Sequence, residues 1–229
     1  MTRLLATILL ATASLAARAT VLTFDIAGVG DGSLLPQSYG DNVTSFTSGT
    51  FSYGSGGGLT PDVTVDYLGS PGSQADLNFW TTGYSDLNNV VEYEPDGAPN
   101  FSIVFSAAVG QFVTLESFDL GNFGGEVTLA GLQIRNESNV VVFSQTDVVI
   151  PASSQPHLSF APNVTGQSLT LFVDLAGLGG ASDNIGLDNI RFSQSANPVP
   201  EPAAFAVLGL GFVSLVRRAK SGRGRQQQR

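Results

Sequence analysis

The chain has 229 residues, a net charge of −9, one histidine and no cysteine, so disulfides, thiolate metal sites and cysteine nucleophiles are excluded. Eight of the ten basic residues lie within the first 18 and last 13 positions, leaving Arg135 and Arg191 against eighteen acidic residues over 20–196, a formal charge of −16 there. A body of that sign repels nucleic acid and anionic lipid and suits divalent cations or neutral partners; its plainer role is a solvated acidic face.

The first element is a leader. "MTRLLATILLATASLAARAT" carries Arg3, an apolar stretch from Leu4 to Ala17, and small residues at Ala17 and Ala19. This is the pattern of a secretory signal, with cleavage expected after Ala19 and residues 1–19 removed.

Residues 20–196 read as strands and turns. In "NFSIVFS", Phe101, Ile103 and Phe105 alternate with Ser102, Val104 and Ser106. In "SLTLFVDLA", Leu169, Leu171, Val173 and Leu175 alternate with Thr170, Phe172 and Asp174. A period of two marks a half-buried strand. "TVLTFDI", "VTVDY", "DLNFW", "FVTLESFDL", "VTLAGLQIR", "NVVVFSQT" and "NIGLDNIRFS" are similarly rich in β-branched and aromatic residues, and Gly- and Pro-rich turns separate them. No stretch offers an amphipathic helix. About ten such strands predict an all-β fold, an antiparallel β-sandwich of jelly-roll-like topology.

Beyond the sandwich come a proline-rich stretch (197–202), an uncharged run of fourteen residues from Ala203 to Val216, and a basic tail (217–229). At ~1.5 Å per residue the run spans ~21 Å, short of the ~30 Å hydrocarbon core, so it predicts a marginal single transmembrane helix. Arg217, Arg218, Lys220, Arg223 and Arg225 favour a cytoplasmic tail and place the acidic body outside.

Pro200-Glu201-Pro202, a short apolar helix containing Gly209 and Gly211, then Arg217 and Arg218: in this order roughly the last thirty residues resemble the PEP-CTERM sorting signal. The tail after Lys220 is longer than such signals usually carry. The resemblance implies export, anchoring at the inner membrane, recognition by an exosortase-type processing protease, and final placement at the cell surface or in the extracellular matrix. The opening "LTFD" and closing "GLDNIRFS" also resemble the ends of ectodomains attached to this signal. In jelly-roll carbohydrate-binding modules the corresponding closing strand pairs near the opening one.

Chemistry is sparse. His157 is the sole histidine and no G-x-S-x-G elbow accompanies it, the HExxH zinc pattern needs a second histidine, and the only lysine, Lys220, lies in the tail. Glu92 and Glu94, with Asp96 nearby, make the best carboxylate pair for a polysaccharide hydrolase. Pro95 interrupts the pattern, and the expectation is a non-enzyme. Calcium takes hard oxygens from Asp-rich turns; Asp25, with Asp183 and Asp188, would meet if the opening and closing strands are neighbours, although Asp188 could instead face solvent. For extracellular polysaccharide the densest cluster is Trp80 and Tyr84 beside Asp86, because a sugar's apolar face stacks on a ring. The competing place for Trp80 is the core, with Phe79 outward.

Overall fold

The computed structural model describes residues 19–54, 59–70 and 77–196. The expectations for the leader, the sorting motif at Pro200, Glu201 and Pro202, the transmembrane run and the tail with Arg217 and Arg218 lie outside the described residues.

Sixteen strands run in chain order: β1 (Thr20–Leu22), β2 (Asp25–Ile26), β3 (Ser33–Leu34), β4 (Thr47–Ser48), β5 (Phe51–Ser52), β6 (Val63–Leu68), β7 (Asn78–Trp80), β8 (Val90–Glu92), β9 (Asn100–Ala107), β10 (Gln111–Asn122), β11 (Val127–Asn136), β12 (Val141–Ile150), β13 (Leu158–Phe160), β14 (Val164–Gly166), β15 (Ser168–Asp174) and β16 (Ile185–Ala196). A single 3-10 turn, Gly179–Asn184, is the helical element among the described residues. All nine segments expected to be strands contain one.

Five strands form one sheet in the order β12-β11-β15-β9-β6; a larger sheet runs β13-β10-β16-β8-β7-β3, with β1 on β16 and β14 on β10. Every pairing with a defined register is antiparallel, and β2, β5 and β4 form a small third sheet. The alternation fixes which side chains meet. Phe101, Ile103 and Phe105 of β9 and Leu169, Leu171 and Val173 of β15 are fully buried. They join Leu187, Ile190 and Phe192 of β16 in one apolar core, where the rings of Phe105 and Phe192 stand 5.1 Å apart. Two antiparallel sheets sharing one core is the arrangement of a β-sandwich.

The opening and closing strands are neighbours: Thr20 lies opposite Phe192, Val21 opposite Arg191 and Leu22 opposite Ile190. Within β16 the alternation slips by one residue. Leu187 and Ile190 both face the core three positions apart, and Asn189 between them takes a left-handed conformation, φ 51°. Asparagine tolerates that region better than most residues. The extra residue keeps both apolar side chains inward and leaves Asp188 on the opposite face, as inserted residues do in strands.

Candidate functional site

The outer face of the larger sheet carries the polar chemistry. Register pairs Asn78 with Glu92, Phe79 with Val91 and Trp80 with Val90, so Asn78, Trp80, Val90 and Glu92 share one face. Phe79 and Val91 face the core. The structure thus corrects the core reading of Trp80: Phe79 is buried and the indole is half-exposed. Pairing with β8, rather than any feature of "NFW" itself, sets this phase.

The connection from β7 to β8 folds back over that face and seats Tyr84 on β16. A side chain at Gly186 would put its Cβ 2.7 Å from both the Tyr84 ring and Val90, so only glycine admits them. Tyr84 is buried and its hydroxyl donates to the Asp183 carbonyl oxygen at 2.7 Å. Gly83, φ 99°, lies against Phe123, and a Cβ there would stand 2.6 Å from its ring.

Two hollows result. The first, a shallow cleft of about 80 Å³, is lined by Trp80, Tyr84, Glu94, Phe123, Asp183 and Asn184. The Trp80 and Phe123 rings meet edge-on at 6.2 Å, and Tyr84 tilts against Phe123 at 5.6 Å. The 3-10 turn supplies Asp183 and Asn184. It is fastened to the preceding turn by Gly97 N–H, which donates to Ser182 Oγ at 2.8 Å, and by Asn184 C=O, which accepts from Phe123 N–H at 2.9 Å. Below the cleft sits Glu92, 1% exposed, with neither carboxyl oxygen hydrogen-bonded among the described residues. Burial, then the adjacent Glu94 carboxyl and the charge of Asp183, push its pKa up to about 9. Burial, Asp96 and Glu94 raise Asp183 too, and one Asp183 carboxyl oxygen is buried without a partner among the described residues.

The second hollow, about 340 Å³, is lined by Thr23, Asp25, Asp86, Asn88, Asn89, His157, Asp188 and their neighbours. Asp25 accepts from Thr23 Oγ1 at 3.0 Å and from the Asn89 amide. Asp188 is 4% exposed, not solvent-facing. Burial chiefly, with the Asp119 and Asp25 charges adding, pushes its pKa up to about 8 against a hydrogen bond from Asn189 N–H. His157 lies between two aspartates, Nδ1 2.8 Å from Asp86 and Nε2 3.6 Å from Asp119. Hydrogen bonds from the His157 backbone and ring hold Asp86 below the usual carboxylate range.

Two sequence groupings are therefore redrawn. Trp80 and Tyr84 do share a cleft, but Asp86 turns away from it to His157, because Ser85 takes a left-handed conformation (φ 59°) between them. Asp25 and Asp188 share the second hollow, whereas Asp183 belongs to the first. The three expected calcium ligands do not form one set. Among the described residues no three His, Cys, Asp or Glu side chains are grouped to hold a metal ion. The carboxylate pair is likewise unequal: β8 ends at Glu92, leaving that side chain sealed while Glu94 is exposed at the cleft. Phe123 and Asn184 line the cleft with no motif in the sequence to mark them. "NFGGE" reads as a turn, and its phenylalanine was the only hint.

No protein-family model matches the chain. No curated protein matches it either. Among solved structures it is similar to a CBM4 chain, at 14% identity over 58% of this chain and 86% of that one, with a TM-score of 0.34. It is similar to a Ruminococcus gnavus GH29 fucosidase in complex with fucose at 12% identity, over 59% of this chain and 25% of that one (TM-score 0.28). An Arthrobacter globiformis T6 isomalto-dextranase complexed with panose follows at 14%, 58%, 23% and 0.26. Scores this low assign neither family nor function.

Proposed function

We propose that the protein is an exported, PEP-CTERM-sorted surface or matrix protein whose jelly-roll-like β-sandwich binds glycan without catalysis. The carrying observation is the first cleft, where the accessible rings of Trp80 and Phe123 stand beside Glu94, Asp183 and Asn184. Aromatic planes take the apolar faces of a pyranose, and carboxylate and amide oxygens accept from its hydroxyls. A polysaccharide hydrolase acting through Glu92 and Glu94 is the lesser reading. Its acid would have to touch the scissile bond, and Glu92 is sealed from solvent.

Trp80→Ala tests the binding role. Retention on the polysaccharide that holds the wild type is expected to fall roughly tenfold or more, about 1.4 kcal/mol per decade. Stability should fall only about 1–2 kcal/mol, since the indole is half-buried. If no polysaccharide in a panel of neutral, acidic and basic polymers retains the wild type, the reading is wrong.

The sorting half of the proposal rests on Pro200-Glu201-Pro202, the apolar run and Arg217-Arg218. Mass spectrometry of the protein from its host should find residues 1–19 gone and the chain processed near the proline-rich motif. An intact chain from Met1 to Arg229 in the cytosol would refute it.

A further inference from the structure

We infer that the Trp80 cleft selects a glycan bearing a free, protonated amine, a polymer of 2-amino-2-deoxyhexose, over neutral or N-acetylated sugars. The inference rests on the glycan-binding reading above and names its ligand class.

The cleft is anionic without an answering cation. Glu94 and Asp183 line it beside Trp80. The cationic side chains among the described residues are committed elsewhere. Arg191 pairs with Glu116 at 2.6 Å, Arg135 bonds Gln133 and lies over the Phe172 ring, and His157 sits between Asp86 and Asp119. The second observation is independent of that charge count. One carboxyl oxygen of Asp183, which lines the cleft, has no hydrogen-bond partner among the described residues. Buried acceptors left unmade are costly.

An ammonium group answers the charge of Glu94 and Asp183 and the unpaired Asp183 oxygen. It carries three N–H donors and a positive charge, and its attraction to an aromatic face is served by Trp80 and Phe123 at the cleft wall. A neutral hydroxyl would leave the charge unbalanced, and an acidic sugar would be repelled. A divalent metal fits less well: the aromatic walls offer it no oxygen, and no three acidic or histidine side chains among the described residues converge on one point.

The test measures binding of three hexamers to the full chain by calorimetry, at about pH 5.5 where the sugar amine is protonated, with chelator present. They are β-1,4-linked glucosamine, N-acetylglucosamine and glucose. The amine hexamer is expected to bind at least roughly tenfold tighter than the other two. Glu94→Gln, at an exposed position, should erase most of that preference, and Glu94→Gln with Asp183→Asn all of it. Asp66→Asn with Asp147→Asn removes the same charge at exposed sites on β6 and β12 of the other sheet and should leave the preference intact. Equal binding of all three hexamers would overturn the amine inference and leave the glycan reading standing; binding of none would remove both. Loss of preference in the distant pair as large as in the cleft pair would also overturn it, because attraction would then be diffuse charge. So would calcium, added in place of chelator, abolishing the preference and raising the melting temperature only while Glu94 and Asp183 are intact.

Discussion

Raising the pH from about 5 to about 8 lowers the melting temperature of this protein, and Glu92→Gln and Asp188→Asn each remove a large part of that fall. Glu92 goes from 4.5 in its ordinary setting to about 9 in the fold, and Asp188 from 3.8 to about 8. Between those limits the folded chain holds two protons that the unfolded chain has released. Stability from these groups is therefore fully present below about pH 4 and is lost as the pH climbs through the folded values. Each unit of separation corresponds to about 1.4 kcal/mol, so each group shifts stability by a few kcal/mol across the window. Asp41 and Asp183, also raised by burial, act in the same direction. Asp86, lowered by its bonds from His157, acts in the opposite one, and only at lower pH. Thermal melts at constant ionic strength decide the matter. A wild-type profile that is flat or rises from pH 5 to 8 would mean that neither carboxyl is held protonated.

Phe192→Ala is expected to cost about 3–5 kcal/mol, the range for deleting a fully buried phenylalanine. The ring belongs to β16 and packs against Phe105 of β9, so it joins the two sheets beside the ladder that holds β1. A loss of that size corresponds to a melting temperature lower by about 10 °C or more in a body of this length. Val109→Ala, at a position 95% exposed, should shift stability by no more than about 0.5 kcal/mol. A Phe192→Ala variant that melts within a degree or two of wild type would show that the sheets do not share this contact.

The long strands were legible because one face of each is buried and the other is not. Phe101, Ile103 and Phe105 announce β9 by their spacing alone. Strands of two or three residues, such as β3, β4 and β5, are too short to show any period. β8 shows none either, because Val90, Val91 and Glu92 are all buried. The pairing of opening and closing strands was expected from resemblance and is present in the register of β1 and β16. The site was harder to read. Trp80 and Tyr84 were found through residue type, but the phase of Trp80 depends on its register with β8. Asp86 was misgrouped because the backbone reversal at Ser85 leaves no composition signal. Asp183 and Asp188 are five positions apart in sequence, yet the 3-10 turn and the start of β16 deliver them to different hollows.

β16 begins beside the aromatic cleft, where Gly186 lies under Tyr84, and ends at the edge where β1 also starts, with Thr20 opposite Phe192. From Ile185 to Ser195 is ten residue steps, which at ~3.3 Å each make a strut of ~33 Å. Both chain ends of the sandwich thus depart from one pole while the rings crown the other. Within the sandwich, the cleft therefore lies a full strand length from the places where the chain enters and leaves.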